Sequence, residues 1–308
     1  MQTLLIIGFG DIARRASLTL PKHWRILAMV RSQEGVDAAH NLGITPVMAD
    51  LDDRDSLTRL AALADKVLYC APPASQGHTD QRMRRFLSVL NQPKSITQHL
   101  VYISTSGVYG DAGGDWLDET RPPAPGSDRS RRRLDAEQQL RRFAASQSAS
   151  LTILRAPGIY AAERLPLARI INATPAITRE QDSWSNHIYA DDLAMLCVAA
   201  LKRPHGIRVY NACDKQPTRM GDWFDLVADA HGLTRVPRLP RTEVRQHVSP
   251  VMWSFLAESR RLNNQRILRE LGVTLQWPDV QHWIAHYRVA QDQASNRQAG
   301  LAIPGRFR

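Results

Sequence analysis

The sequence has 308 residues, of which 43% are hydrophobic, and 40 Lys and Arg face 30 Asp and Glu, giving a formal net charge of +10. This length fits one large α/β unit or a main domain with a smaller appendage, and the composition excludes wholesale disorder. No run of about 18 apolar residues occurs, which excludes an apolar membrane span, and three scattered cysteines without a C-x-x-C pair predict neither disulfides nor a zinc site.

The positive charge and the first residues bear on the location and the binding partners of the protein. No basic segment precedes the first apolar run, which Gly8 interrupts, so we expect no signal peptide, no membrane partner and a cytoplasmic location. The charge would suit nucleic acid or an anionic small ligand, and it is equally consistent with an arginine-rich surface. Because no basic and aromatic alternation or recognition motif accompanies it, we expect no nucleic-acid partner.

The first half of the chain alternates short apolar runs with amphipathic stretches. Most runs are rich in Ile, Val, Leu or Tyr, which is typical of buried strands. Their alternation with helices predicts an α/β fold in which helices cover both faces of a parallel sheet. The predicted strands are Thr3–Ile7, Ile26–Val30, Pro46–Met48, Lys66–Cys70, His99–Ser104 and Leu151–Leu154, and the predicted helices are Asp11–Leu20, Glu34–Leu42, Ser56–Leu63, Thr79–Leu90 and Ser130–Ala145.

The second half is less regular. Ser249 is a suitable N-cap for a helix that has Pro250 at its first position. The last segment, Gln291–Arg308, is polar and contains Gly and Pro, so we expect a flexible tail. The predicted helices are Asp191–Leu201, Arg219–His231, Pro250–Glu258 and Gln265–Leu271, and the predicted strand is Arg208–Asn211.

A glycine turn joins the first predicted strand to the first predicted helix. The run GFGDIA at residues 8–13 fits G-x-G-x-x-A. Gly8 permits the tight turn, Gly10 lets the backbone approach a pyrophosphate, and Ala13 permits close packing of helix on strand. We therefore predict a Rossmann-type doubly wound sheet whose cofactor phosphates lie against Gly8, Gly10, Asp11 and Ile12. The alternative is a glycine turn that binds no nucleotide.

The end of the second predicted strand bears on the choice of cofactor. Arg31 and Ser32 follow Val30, where Asp or Glu usually binds the 2′-hydroxyl of an adenosine ribose. A guanidinium suits a 2′-phosphate, so we predict NADP, with NAD possible and a plain surface arginine as the alternative. The remaining predicted cofactor contacts follow the third and fourth strands: Asp50, Leu51, Ala71 and Pro72.

Four segments, in order, resemble those of the extended short-chain dehydrogenases/reductases, the family of NAD(P)-dependent epimerases and dehydratases. They are YISTSGVYGD at 102–111, LRAPGIY at 154–160, NHIYADDLA at 186–194 and VYN at 209–211. The resemblance covers about residues 1–273. It implies an NAD(P)-binding domain over residues 1–155, a smaller C-terminal α/β substrate lobe over 156–290 interleaved with it, and a possible homodimer.

The resemblance also implies catalytic residues, with one departure. Thr105 matches the hydroxyl residue that hydrogen-bonds the reacting oxygen of the substrate. The family's Tyr-x-x-x-Lys pair is missing, and aligning Glu137 with the family's glutamate places Arg129 and Arg133 at the Tyr and Lys positions. Arg133 would hold the nicotinamide ribose. Arg129 is a poor general acid, because the pKa of a guanidinium is too high for proton exchange near neutrality.

Several residues could replace the missing acid/base. His187 is the first choice, and Tyr109, Tyr160, Tyr189 or a water are alternatives. Each tyrosine is also consistent with a packed aromatic whose hydroxyl has a partner. The segment that holds His187 and two aspartates, at 191 and 192, could suggest a metal, but it fits the wall of a substrate cleft better, and we expect no metal site.

The predicted activity is epimerase/dehydratase-like or reductase-like chemistry on a small anionic or sugar-nucleotide-like substrate. An enzyme is favoured, and the alternative is a catalytically inactive NADP-binding sensor or regulatory protein. In the substrate half, the arginines that could bind an anion are Arg155, Arg164 and Arg208. A second group is expected to form a basic surface patch with no role in the site: Arg260, Arg261, Arg266 and Arg269.

Overall fold

A computed structural model describes residues 2–91 and 96–289, so the predicted tail Gln291–Arg308 lies outside the described residues. The strands of the described chain are β1 Thr3–Ile7, β2 Arg25–Val30, β3 Thr45–Met48, β4 Lys66–Tyr69, β5 His99–Thr105, β6 Trp116–Leu117, β7 Ser150–Ala156, β8 Gly158–Tyr160, β9 Ala176–Ile177, β10 Trp184–Ser185, β11 His187–Tyr189, β12 Ile207–Asn211, β13 Thr218–Arg219, β14 Arg238–Leu239 and β15 Arg261–Leu262.

Helices connect these strands. They are α1 Asp11–Ser17, α2 Gln33–His40, α3 Arg54–Leu57, α4 Gln81–Leu90, α5 Asp128–Gln147, α6 Leu167–Ile171, α7 Ala190–Lys202, α8 Met220–Ala230, α9 Arg241–His247, α10 Pro250–Leu256 and α11 Gln265–Leu271. Residues 280–289 are also helical. Short 3₁₀ turns occur at Thr58–Leu60, Ser106–Tyr109 and Ala162–Arg164. None of the helices in the described ranges combines the length and apolar character that crossing a bilayer requires.

The main sheet has seven strands, and every pairing in it is parallel. Their order is β12-β7-β5-β4-β1-β2-β3. The prediction of a doubly wound parallel sheet is therefore confirmed. The order reverses between β1 and β4, and in such folds ligands bind beyond the carboxyl ends of the strands at this reversal.

Alternate residues of β1 supply the two halves of the core. Leu4 and Ile6 belong to a cluster that includes residues of α1 and α7, whereas Leu5 and Ile7 belong to one that includes residues of α4 and α5. Each of these four side chains is at most 1% exposed. Burying a side chain of this size stabilises a fold by about 1.5–3 kcal/mol, so the central strand holds the helices on both faces.

The helix ends differ from the predictions where side chains intervene. Ser127 caps α5 by accepting a hydrogen bond from the Ser130 N–H, so this helix begins two residues earlier than predicted. Helix α10 ends at Leu256 instead of Glu258. Beyond it, the Ser259 N–H donates to Asp111 Oδ1 at 2.7 Å, and Glu258 lies in an irregular segment.

The residues after 156 form a smaller layer of short paired strands and helices above the carboxyl edge of the sheet. Strand β8 pairs with β11, β9 with β14 and β10 with β13. Strand β12 leaves this layer and adds the seventh strand to the main sheet beside β7. The two parts are thus interleaved along the chain, and a domain boundary at residue 155 stays a prediction.

A buried ion pair fastens α5 to the sheet. Arg155 Nη2 lies 2.7 Å from Glu137 Oε2, and the two side chains are 3% and 1% exposed. The Ser104 hydroxyl donates to Glu137 Oε1 at 2.6 Å, and the Arg155 guanidinium lies 4.6 Å from the centre of the Tyr109 ring. Arg155 is therefore an internal anchor, which corrects the expectation that it binds substrate.

We expect the substitution Glu137→Gln to lower the free energy of unfolding by about 3–5 kcal/mol, because it leaves the buried Arg155 cation without a counter-charge. Urea unfolding measures this loss. The control is Arg131→Gln on the same helix, which breaks an exposed ion pair with Asp128 and should change the urea midpoint much less. Equal losses in the two variants would contradict the role of the buried pair.

Candidate functional site

Two adjoining clefts open along the carboxyl edge of the sheet. The first, of about 550 Å³, lies over the glycine turn and the ends of β2, β4 and β5. The second, of about 610 Å³, lies between the end of β5, the start of α5 and the smaller layer. Ile159 and Arg164 line both clefts, so the two spaces meet.

The glycine turn has the geometry that a dinucleotide requires. Gly8 has φ +86°, and a Cβ there would lie 2.7 Å from the backbone of Ala71, so this position excludes other residues. A Cβ on Gly10 would meet no atom within 4 Å, so its absence leaves open space beside the turn. Ala13 is fully buried beneath it. Open space beside the turn is what the approach of a cofactor pyrophosphate would require.

The structure brings all the predicted cofactor residues to the first cleft. Ser32 also caps α2 by accepting a hydrogen bond from the Gly35 N–H at 3.3 Å. Arg31 has no hydrogen bond or ion pair within the described part of the chain, which leaves its guanidinium available. Beyond the two glycines, the predicted residues that line this cleft are Asp11, Ile12, Arg31, Ser32, Asp50, Leu51, Ala71, Pro72 and Arg133.

Arg133 closes the floor of the first cleft. Its Nη1 donates to the Ile103 carbonyl at 3.0 Å and to the Tyr102 hydroxyl at 3.1 Å, with a longer contact to the Ala71 carbonyl. These contacts join the ends of β4 and β5. The arginine at the family's Lys position therefore has a structural task as well as a place in the cleft.

Charged groups link the glycine turn to the smaller layer. Asp11 accepts hydrogen bonds from Arg15 at 2.7 Å and from Arg164 at 2.8 Å. Arg15 also donates to Asp191 at 2.6 Å and pairs with Glu163. Arg164 was predicted to lie in the substrate half, and it stands where the two clefts meet, whereas Arg208 pairs with Glu270 and lines neither.

Thr105 ends β5 in the second cleft. Its Oγ1 accepts a hydrogen bond from the Gly107 N–H at 3.2 Å, so its own O–H remains available to donate. A Cβ on Gly107 would lie 2.7 Å from Ser130 Oγ. The start of α5 therefore packs directly on the turn after Thr105.

The walls of the second cleft combine arginines with large apolar side chains. Glu258 is the one carboxylate among the lining residues that the structure describes. The arginines are Arg129, Arg164, Arg169 and Arg260, and the large apolar or aromatic residues are Ile159, Tyr160, Trp184, Met220, Trp223, Phe224, Met252 and Phe255. This lining favours a ligand that has an anionic group and an apolar body.

Arg129 stands at the position of the missing tyrosine. Its guanidinium lies 3.8 Å from the centre of the Phe255 ring. Burial lowers the pKa of this guanidinium, and the neighbouring Glu258 carboxylate opposes the shift. Glu258 itself pairs with Arg260 at 2.7 Å. Arg129 thus faces the cleft as a cation in contact with an aromatic ring.

His187 lies in the second cleft and is 4% exposed. Burial lowers the pKa of its imidazole to about 4, so the ring is neutral at pH 7. Its Nδ1 has no hydrogen-bond partner among the described residues, and the centre of its ring lies 5.2 Å from the centre of the Trp223 ring. A neutral imidazole can accept a proton but is a weak acid at this pH.

The tyrosines proposed as substitutes lie in different places. Tyr109 is 2% exposed, lines neither cleft and donates its hydroxyl to Asn211 Oδ1 at 2.8 Å. Burial raises its pKa to about 12. The catalytic expectation for Tyr109 is therefore corrected, because its hydroxyl is committed inside the protein. Tyr160 lines the second cleft, and Tyr189 packs near Trp283 outside its lining.

Polar side chains near His187 in sequence form hydrogen bonds with the backbone of distant segments. Asn186 donates to the Arg260 carbonyl at 2.9 Å and accepts from the Leu262 N–H at 2.8 Å. Asp192 accepts from the backbone N–H groups of Gln276 and Trp277. Within residues 2–91 and 96–289, no group of three or more His, Cys, Asp or Glu is arranged to hold a metal ion.

The sequence did not predict most of the second cleft. Arg260 was assigned to a basic surface patch, yet it lines the cleft, donates to the Gly110 carbonyl at 2.6 Å and pairs with Glu258. Arg261 lies in β15 beside β6 rather than on a helix. Arg169, Trp223 and Phe255 carried no local motif that could have marked them.

Comparisons with known proteins agree with this geometry. A model of the NAD dependent epimerase/dehydratase family matches residues 13–213, well over half of the chain. A ketoreductase of Stigmatella aurantiaca that acts on 4-hydroxy-2-methyl-3-oxo-4-farnesyl-3,4-dihydroquinoline-1-oxide is 23% identical over 310 residues, which cover 88% of this chain and 91% of that enzyme.

Solved structures are similar over almost the whole chain. A conserved protein of unknown function from Silicibacter pomeroyi is 27% identical with a TM-score of 0.78, covering 94% of this chain and 99% of that one. A Methylobacillus flagellatus protein assigned to the NAD-dependent epimerases/dehydratases is 27% identical with a TM-score of 0.69, covering 95% and 99%. UDP-glucose 4-epimerase from Thermotoga maritima shares the fold at 16% identity, with a TM-score of 0.73 and coverage of 94% and 99%.

The pKa of His187 makes stability depend on pH. In the unfolded chain this imidazole takes up a proton as the pH falls below 6.5, whereas the folded protein resists protonation down to about pH 4. Between these values the free energy of unfolding should therefore fall with pH, by at most about 1.4 kcal/mol per pH unit for this group.

We expect His187→Gln to make this fall shallower in urea unfolding measured between the two pKa values. The matched control is His23→Gln at an exposed position, which should keep the slope of the original protein. Buried His99, whose pKa is also lowered to about 4, remains in both variants. Identical slopes for His187→Gln and the original protein would show that the buried ring does not resist protonation.

Proposed function

Because the chain belongs to the NAD dependent epimerase/dehydratase family, we propose that it binds NADP(H) in the first cleft and uses it for redox chemistry on a small anionic substrate in the second. One observation carries this proposal. Strand β5 contributes Ile103 to the first cleft and Thr105 to the second. A nicotinamide at the end of the first cleft would thus lie next to a substrate held at Thr105.

The choice of NADP rests on the charges around the end of β2. Arg31 has no acidic partner within 4.0 Å among the described residues, although it lowers the pKa of Asp52 through space, after the larger effect of Arg82. Asp52 itself pairs with Arg82, which also lines the cleft. Glu34 and Asp50 lie at the same end, and NAD is the alternative that they favour.

The residues of the chain would divide the chemistry between them. Bound nicotinamide supplies or accepts a hydride. The Thr105 hydroxyl would donate to the oxygen of the reacting carbon and stabilise the charge that develops there. Arg133 would meet the nicotinamide ribose. Neutral His187, which lines the same cleft, would take a proton from a substrate hydroxyl in the direction of oxidation.

The small-anion part of the proposal rests on the arginines of the second cleft. Among the described residues, four guanidiniums and a single carboxylate line it, so an anionic substrate would be drawn in and held. Relatives differ on the rest of the substrate. Sugar-nucleotide epimerases share the fold, whereas the similar Stigmatella enzyme is a ketoreductase. A reductase acting on a ketone needs a hydride donor and a proton, and without the Tyr/Lys pair a water molecule would supply that proton.

A second candidate function is an NADP-binding regulatory protein without turnover. The observation that favours it is the arginine at position 129, which cannot exchange a proton as a phenol does. The two functions share the first cleft and differ in the second. Oxidation of NADPH in the presence of anionic ketones distinguishes them, because the regulatory protein would bind the cofactor without consuming it.

We expect Arg31→Gln to weaken NADPH binding about tenfold and to leave NADH binding unchanged, because the lost cation would face only the 2′-phosphate. Isothermal titration of both cofactors measures this difference. Arg59→Gln, at an exposed position outside the cleft, is the matched control. A protein that prefers NADH, or an equal loss for both cofactors, would overturn the assignment of NADP.

For a ketone that is turned over, we expect Thr105→Val to lower kcat about 100-fold, because the donor to the developing alkoxide is lost. The Kd for NADPH should stay the same. Thr105→Ser keeps the hydroxyl and should retain most of the activity. If Thr105→Val and Thr105→Ser have the same rate as the original protein, the hydroxyl takes no part in the reaction.

A further inference from the structure

The lining of the second cleft has two features that redox chemistry alone does not require, namely the Arg129 guanidinium and a large apolar wall. On the basis of that function, we infer that the substrate is a flat aromatic carbonyl compound with one carboxylate next to the carbonyl, and that Arg129 binds this carboxylate. The ligand class is thus an aryl-substituted 2-oxo acid or the corresponding 2-hydroxy acid, rather than a sugar nucleotide.

Arg129 is the cation in the cleft with the most donors available. Arg164 donates to Asp11, and Arg260 donates to Glu258 and to the Gly110 carbonyl. Arg169 donates to the Pro175 carbonyl through Nη2, and its Nε and Nη1 have no partner among the described residues but are shielded from solvent. Arg129 makes no hydrogen bond and no ion pair to any residue in the described ranges, so its donors are free for a ligand.

The surroundings hold Arg129 in place for this task. The Cζ atom of Arg129 lies 3.8 Å from the centre of the Phe255 ring, a contact that favours a charged guanidinium and limits its movement. A planar guanidinium fixed on one face presents its N–H edge to a carboxylate, which it binds with two parallel hydrogen bonds.

The position of Arg129 puts the carboxylate close to the reacting carbon. Ser130, the next residue, is packed against Gly107 in the turn that follows Thr105, and Thr105 and Arg129 line the same cleft. The proposed ligand would place its carbonyl at Thr105 and its carboxylate at Arg129, with the two groups on neighbouring carbons. A 2-oxo acid has that arrangement.

The rest of the cleft suits an aromatic body. Trp223 and Phe224 are each 5% exposed and form an apolar wall with Met220, and flat rings pack well on such walls. A sugar would need partners for several hydroxyls. The amide of Asn186 is already used by Arg260 and Leu262 backbone groups, and hydroxyls buried without partners would cost binding energy.

The test compares four probes on the full-length protein saturated with NADP⁺, by ligand-observed NMR titration. Phenylpyruvate has the ring, the carbonyl and the carboxylate. Phenylacetone lacks the carboxylate, pyruvate lacks the ring, and UDP-glucose represents the sugar nucleotides. We expect phenylpyruvate to bind about tenfold more tightly than either of its truncated analogues, and more tightly than UDP-glucose.

Variants then locate the carboxylate. Arg129→Gln should remove the advantage of phenylpyruvate over phenylacetone and leave phenylacetone binding unchanged, whereas Arg129→Lys should keep part of it. Arg131→Gln, two residues away on the exposed side of α5, is the matched control and should bind phenylpyruvate like the original protein. Thermal unfolding of each variant separates loss of binding from loss of fold, and the four-probe comparison on the original protein stands without any variant.

The outcomes separate this inference from the proposed function. The inference is overturned if phenylpyruvate binds no more tightly than phenylacetone, if UDP-glucose binds more tightly than phenylpyruvate, or if Arg129→Gln behaves like Arg131→Gln. NADP⁺ titration of the protein without probes is measured independently. Failure of that titration overturns the proposed function, whereas NADP⁺ binding without discrimination between the probes overturns the inference alone.

Discussion

The buried pair of Glu137 and Arg155 sets the position of everything that α5 carries. It joins the helix to β7, and the Ser104 hydroxyl brings β5 into the same contact. The first turns of α5 deliver Arg129 to the second cleft and Arg133 to the first. Since an ion pair sealed from water is costly to break, a single polar contact in the core aligns the walls of both clefts.

The parallel sheet could be predicted because its signals are local. Each strand is a short run of apolar residues, and the glycine turn follows the first of them directly. The residues that follow each strand could therefore be predicted to line the cofactor cleft at the carboxyl edge of the sheet. Arg31 and Asp50 do line that cleft. Arg31 alone does not decide between NADP and NAD, because the choice also depends on charges such as Glu34, Asp50 and Arg82, which the fold brings to the same cleft.

The second cleft could not be predicted, because its walls come from distant segments with no motif. Arg169, Trp223 and Phe255 lie on three different helices. Glu258 lines the cleft from the irregular segment after α10, where the neighbouring Ser259 donates a hydrogen bond to Asp111, almost 150 residues away in sequence. For Tyr109 the error was the reverse: a recognisable motif suggested a reactive group, whereas the side chain is buried and its hydroxyl is bonded to Asn211.

Arg164 connects the two clefts electrostatically. It is bound to Asp11 in the glycine turn, and it also forms part of the second wall. Any ligand anion that draws this guanidinium toward the second cleft leaves Asp11 with Arg15 as its main counter-charge, beside the place for the pyrophosphate. By thermodynamic linkage, the effect of one ligand on the affinity for the other must be reciprocal. The shared cation would thus couple the affinities for the two ligands, whichever of them binds first.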